Sequence, residues 1–553
     1  MPPDIAIPAS APRSLAGDGP SHAGLSGSAR RFLTPLCLLL LPIVFFLGFF
    51  HWQILDIGNA GWLLRGTDNG ENALGAHAYW HDPSAGIALR TQLLNAPEGV
   101  PVLYTDSNPI VALLAKPFTA LLPPDAQLVG PFILLSLILQ ALFAWLLLRR
   151  HAPGPMALWA GVALLAFPPT LANRFMHANL MAHWTILAAL WLFLDSQRRY
   201  RLRWWAPLIV VTAMIHSYLL VMVGAVWASA MLAQFAGGGH RARLAAIGQA
   251  LAILPMVAII ARWLGVNAMR STDSFGRFAM PIDALWNPGI ANFSTLLPVR
   301  SDNGGYWFEG FQYLGAGGLL LVLGAAVLTW RSRPQVAERA EYRRLVWLLP
   351  ALAVLALLAM LHGPLPAPVM ALLDPMRASG RLFWPVGYVL VLAAIWAVYR
   401  LPAERAGLAL LAIIAVQVAD LANMAATVRA ASADAVDGKL YAHTVDPRWD
   451  RLVARAQSVE FISSDVARDL QVFQEVSWRA VKLRRPVNTA YAARATSQTI
   501  ERLAAERAAI ERGALAPGRL YVVLSDVGLP GAAADAAGDR LMRIDGRLVI
   551  APR

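Results

Sequence analysis

The side chains best equipped for chemistry are concentrated in one polar stretch, Asp56–Pro109, between the first long apolar run and the next. Its centre reads Gly66-Thr67-Asp68-Asn69-Gly70-Glu71, then His77, His81 and Asp82, then Tyr104-Thr105-Asp106-Ser107-Asn108-Pro109. Connections between apolar helices are short as a rule, so carboxylates, imidazoles and amides gathered in one long connection point to acid–base work. Three later segments add polar groups. The turn Asn173–Asn179 holds Arg174 and His177, with His183 just beyond it; the stretch 265–312 holds Asp273, Arg300, Asp302 and Glu309; and Asp374, Arg377 and Arg381 precede another apolar run. Guanidinium forks match planar anions such as phosphate, which makes these arginines candidate anion ligands. A polar group within hydrocarbon costs about 2.5–3.5 kcal/mol on insertion scales, so His183 is expected to face protein or a water-filled cavity.

Each of these groups also has a structural use. Asp68 and Glu71 fit a capping box opening an amphipathic helix that runs to about Trp80. Asp106 precedes Asn108-Pro109, a helix start with Asn as cap and Pro at the first position. His77 and His81, four apart, share a helix face but have no further metal ligands beside them. Arg174 and His177 sit where snorkelling to the membrane boundary is the plain alternative. Arg377 and Arg381 are also four apart, with Ser379-Gly380 breaking the turn between them; there phosphate binding is the favoured reading.

The elements that must position these groups are membrane-like. Of 553 residues, 57% are hydrophobic and 15% charged, with a mean hydropathy of +0.50. Apolar runs at 32–51, 127–148, 155–172, 180–195, 205–217, 218–235, 244–264, 313–330, 344–362, 383–400 and 406–425 are read as transmembrane helices. The net charge of +13 does not imply nucleic acid, because the arginines cluster between apolar runs. With residues 1–31 as a disordered cytoplasmic tail, Arg149-Arg150, Arg198–Arg203, Arg241 and Arg243, Arg331–Arg344, and Arg400 and Arg405 all fall on the cytoplasmic side, as the positive-inside rule requires. This pattern needs a hairpin at His216-Ser217-Tyr218 rather than one span over 205–235. A short amphipathic or re-entrant piece is expected at Ile110–Leu122. The single Cys37 permits no intramolecular disulfide. The first apolar run ends at His51-Trp52 without the small residues of a cleavage site, so it is no cleaved signal.

The organisation expected is a tail (1–31), a transmembrane domain of about eleven helices (32–425) with a large first outer loop (52–126), and a small C-terminal α/β domain (426–553) outside the inner membrane. In that domain Val459–Ser463, Val487–Ala492, Leu520–Ser525 and Leu541–Ile550 read as strands and Ser497–Arg512 as a helix. It carries no phosphate loop and no triad-like set.

Several segments resemble an uncharacterised bacterial family of GT-C-like membrane proteins, and more broadly the GT-C glycosyltransferases. They are Gly66-Thr67-Asp68, Tyr104–Pro109, Leu180–Trp184 after Arg174 and His177, Glu309–Gly315, and Arg377–Pro385. The resemblance covers about residues 32–425. It implies transfer of a sugar from a polyprenyl-phosphate donor to an envelope glycan, lipid or protein at the periplasmic face of a bacterial inner membrane. It makes Asp68 the general base, with Asp106 the second candidate. Arg377, Arg381 and Arg174 would receive the lipid phosphate, and His177 and His183 the phosphate or sugar, with Glu71 and Glu309 as further substrate contacts. An attacking hydroxyl must lose its proton, a task in which a placed carboxylate contributes ~10²–10⁴-fold, and the leaving phosphate needs cationic donors. No Asp-x-Asp or Asp-Glu pair follows the first run, so metal independence is expected, with no cofactor. Two other classes stay open: a flippase or transporter of lipid-linked glycan, against which the absence of internal repeats speaks, and a non-catalytic partner of an envelope glycan machine.

Overall fold

The computed structural model describes residues 27–266, 274–289, 291–299, 307–331, 343–363, 365–492 and 495–553. Residues 1–26 of the expected tail, together with Asp273, Arg300 and Asp302, lie outside them. A helix stands at each apolar run: Gly27–Phe49, Val129–Leu148, Pro155–Ala166, Trp184–Leu194, Leu202–Ala213, Ser217–Gly237, His240–Trp263, Gly315–Arg331, Leu349–Met360, Trp384–Val398 and Ala403–Asp420. By length and composition, five helices among the described residues can cross a membrane, or six if the last, bent by 51° onto its continuation, counts as one span. Side chains such as Leu251, Leu254, Ile259, Leu320, Leu323, Leu411 and Val418 stand exposed on them. So long an exposed apolar surface marks a face made for something other than water.

The shorter helices have local causes. The run expected over 155–172 ends at Ala166, because Phe167-Pro168-Pro169 cannot continue it. Proline donates no N–H and pushes its predecessor out of the helical region. The run over 180–195 opens as a 3-10 turn at Ala178–Met181 and becomes α-helical only at Trp184. The chain over 205–235 is two helices packed on one another, the second begun by His216, whose ring accepts the Tyr218 N–H at 3.2 Å. The bend after Ala403–Asp420 coincides with the buried Asp420 carboxylate. It accepts from Tyr313 Oη at 2.7 Å, the Ala316 N–H at 2.8 Å and Ser294 Oγ.

The helix continues past residue 425, through Ala422–Ala430, before the C-terminal domain begins. Its four-stranded sheet runs in the order Ser458–Ile462, Arg519–Val523, Arg547–Ile550, Leu541–Ile544, the first pair parallel and the rest antiparallel. The stretch Leu541–Ile550, expected as one strand, is a hairpin turning at Asp545-Gly546, both with positive φ as a two-residue hairpin turn of that kind requires. Val487–Ala492 is not a strand: Val487 alone bridges to Val459. The segment instead exchanges backbone hydrogen bonds with the first loop, Val487 N–H to Leu93 O and Ala96 N–H to Val487 O at 2.9 Å and Asn95 N–H to Thr489 O at 3.1 Å. One hydrophobic core runs through both parts, joining Phe46, Trp62, Leu63 and Leu74 to Trp449, Phe473, Trp478 and Val522.

Candidate active site

The central element is the helix Asp68–His81, whose residues from Asn69 to Trp80 are all buried. Thr67 is its N-cap residue and Asp68 its first helical residue, so the Asp68–Glu71 capping box is not formed. This leaves the Asp68 carboxylate at the positive end of the helix, beside N–H groups that have no partner within it.

The Tyr104–Pro109 motif is pressed onto that helix. Thr105 Oγ1 bonds Val102 O and Ser107 Oγ, and Ser107 Oγ donates to Asn72 O at 2.6 Å. Gly75 makes the approach possible: a Cβ there would stand 1.8 Å from Thr105 Oγ1. Asn108 caps the following helix through the Val111 N–H at 3.3 Å, with Pro109 at its first position, as expected. Asp106 does not cap that helix; it closes the preceding 3-10 turn Val102–Thr105. Its backbone is left-handed (φ 53°), a conformation that costs a non-glycine residue about 1–2 kcal/mol and that clusters at functional sites.

The turn 173–179 closes the third side. Asn69 holds it at both ends, its amide on Phe175 O at 2.8 Å and its carbonyl under the Ala178 N–H at 2.9 Å. Asn179 spans from Asn72 to Asp106 O. His177 Nδ1 thereby lies 3.2 Å from Asp68 Oδ2. Asp68, Asp106 and His177 each bring one ligand atom within 4.8 Å of the others, a set that could hold a metal ion. They line a small cleft with Asn72, Asn179 and His216.

The electrostatics are unusual for carboxylates. Burial, aided by the charges of Asp106 and Glu309 and opposed by Arg381 and Arg377, raises Asp68 to about 7. Burial likewise raises Asp106 to about 6 against the same two guanidiniums. His177 is pushed down to about 3 by burial and by Arg381, Arg174 and Arg377, outweighing Glu309, so its imidazole is neutral near pH 7.

Behind this cleft is a buried ion cluster. Glu309 receives Arg174 at 2.5 Å and Arg381 through two bonds, one of 2.7 Å to Nε and one to Nη2. Arg174 also donates to Phe308 O at 2.6 Å and lies over the Phe308 ring. Arg381 lies over Tyr218, whose hydroxyl accepts the Ala378 N–H. Arg174 and Arg381 are therefore engaged by Glu309 rather than turned to an outside anion. Arg377 is exposed beside Phe278 and within electrostatic reach of Asp68, Asp106 and His177.

Other expected site residues stand apart from the cleft. Glu71 is fully buried and bonded to Gln474 of the C-terminal domain at 3.0 Å. His183 is buried in protein, paired with Tyr388 Oη at 2.9 Å, itself bonded by Gln140. His77 and His81 face away from Asp68; His77 stacks on Trp478, rings 3.8 Å apart. The sequence offers no signal for Asn72, and it marks Asn69 only as part of a motif and His216 only as a hairpin turn, because lone amides and a loop imidazole carry no spacing that points to a site.

Two family models match the chain. One, a domain of unknown function (DUF6311), covers residues 39–422, and the DUF6311 C-terminal domain covers residues 448–552. No curated protein matches it.

Proposed function

The chain belongs to the DUF6311 family, and from its site we propose a membrane-embedded glycosyltransferase of GT-C architecture using a polyprenyl-phosphate-linked sugar. The observation that carries this reading is a pair of half-buried carboxylates that meet at one cleft, Asp68 and Asp106, raised to about 7 and about 6 beside guanidiniums. A base poised near the working pH is what proton removal from an acceptor hydroxyl calls for. A cationic wall is what a departing phosphate calls for.

In this reading Asp68, in the open cleft, takes the acceptor proton as the hydroxyl oxygen bonds to the anomeric carbon and the sugar–phosphate C–O bond breaks. Asp106 adjusts the proton affinity of Asp68 or accepts the proton in its place. Arg377 receives the phosphate oxygens. Glu309, Arg174 and Arg381 form the supporting wall and keep positive potential behind the cleft, a role shifted from direct phosphate binding by their mutual pairing. His177, neutral, hydrogen-bonds Asp68 and fixes its orientation.

The exposed apolar belts and the five or six helices long enough to cross support membrane embedding; the proposed eleven crossings also count five of the six shorter apolar helices. The arginine pattern supports a reading in which the cleft and the C-terminal domain face the periplasm across a bacterial inner membrane. The test is to incubate purified protein with radiolabelled polyprenyl-phosphate sugars and an envelope acceptor fraction. Release of polyprenyl phosphate with label in the acceptor supports the reading; no release from any donor contradicts it.

A further inference from the structure

The C-terminal domain, which carries no recognisable motif, touches the site at its most sensitive point. Its helix Leu470–Lys482 packs along the helix Asp68–His81. Gln474, fully buried, inserts its amide into the turn that leads to Asp68. Its Oε1 accepts the Gly66 N–H at 2.9 Å, and its Nε2 donates to Thr67 O at 2.9 Å and Glu71 Oε1 at 3.0 Å. No side chain caps this helix from within; the one amide instead ties together the residue before the cap, the cap carbonyl and the Glu71 side chain. The fit is close: a Cβ on Gly70 would stand 2.5 Å from Gln474 Oε1. Tyr491 of the same domain lies within electrostatic reach of the cleft carboxylates. It is pushed up to about 12 by burial and by the carboxylates of Asp68, Asp106 and Glu71.

We propose that the C-terminal domain is a constituent of the active site rather than a docking module, with Gln474 as the positioning residue that holds Asp68 in its reacting orientation. Gln474 touches no reacting atom; it acts through the Gly66–Glu71 turn. A rotation of the first helical turn swings the Asp68 carboxylate directly, and misplacement by ~1 Å costs on the order of 10²-fold in rate. The docking interface also has contacts that leave this turn alone, notably Lys482 paired with Asp125 at 2.8 Å. They supply the control.

The inference rests on Asp68 as the base of the proposed transfer, so its test has one arm that needs no turnover. Gln474→Leu and the milder Gln474→Asn are compared with Lys482→Ala in the full chain. Hydrogen exchange is followed at amides 66–72, and polyprenyl-phosphate release is followed for kcat and KM. The expected result is faster exchange confined to 66–72 and a 10- to 100-fold loss of kcat at unchanged KM in both Gln474 variants, with neither in Lys482→Ala. If Gln474→Leu does not fold, Gln474→Asn, which keeps the amide but shortens its reach, carries the comparison. Exchange at 66–72 unchanged from wild type, or kcat lost equally in Lys482→Ala, overturns the proposal. Absence of turnover in the wild type defeats the transferase reading instead, and is told apart by the exchange data.

Discussion

His177 Nδ1 stands 3.2 Å from Asp68 Oδ2, with the imidazole held down to about 3 and the carboxyl raised to about 7. The contact is therefore a hydrogen bond from a neutral ring, not an ion pair, and it leaves the carboxylate basic. An imidazolium in the same place would stabilise the ionised carboxylate and lower its proton affinity. Burial and the neighbouring guanidiniums keep the ring from charging, and so protect the base.

The raised Asp68 has a consequence for stability. Its folded value lies above the ordinary carboxylate range, so the folded chain holds a proton there that the unfolded chain releases. That stabilises the fold at low pH and is lost as pH climbs from about 4 through about 7. Asn cannot ionise. Asp68→Asn should match wild type in thermal unfolding near pH 4 and exceed it by a few degrees at pH 8. Calorimetry across pH checks this; an equal offset at both pH values would contradict it.

Glu309 neutralises two buried guanidiniums at once, Arg174 and Arg381. Glu309→Gln strands both, and breaking a buried pair on one side costs about 3–5 kcal/mol. The expected outcome is a large drop in unfolding temperature in detergent, with any loss of activity secondary to it. A Glu309→Gln protein as stable as wild type would mean the cluster is not held together as described.

Arg377 should behave in the opposite way. It is exposed, so Arg377→Ala should leave unfolding unchanged and raise KM for the lipid-phosphate donor about tenfold, the equivalent of ~1.4 kcal/mol. Unchanged KM would remove Arg377 from the phosphate site.

Asp68, Asp106 and His177 could together take a metal ion, whereas the sequence lacks the carboxylate pair expected of a metal-assisted transferase. We expect full turnover after exhaustive chelation. Loss of activity restored by added Mg²⁺ or Mn²⁺ would assign the three side chains to a cation.

What was legible in the sequence was local. The apolar runs name their helices because a long apolar segment satisfies its own backbone N–H and C=O groups within a helix, and Asn108-Pro109 announces its helix start. The break at His216 was readable from charge, since merging the two helices would have reversed every later arginine cluster. The limits of the shorter helices depended on Pro168-Pro169 and on a 3-10 turn, details that hydropathy averages away. The site was half legible. Asp68, Asp106 and His177 were each singled out, but nothing in the spacing says that they converge, because two asparagines, Asn69 and Asn179, do the joining. The pairing of Glu309 with two arginines was equally invisible, as was Gln474, an ordinary helical residue whose role exists only once two distant segments share a core.

The most direct test of the account compares wild type with Asp68→Asn, and Asp106→Asn beside them, for release of polyprenyl phosphate across pH 5–9. The account predicts wild-type activity that rises with pH through about 7. It predicts a loss of at least about 10²-fold in Asp68→Asn at unchanged folding and a smaller effect in Asp106→Asn. An Asp68→Asn protein that turns over like wild type would contradict the claim that Asp68 is the base.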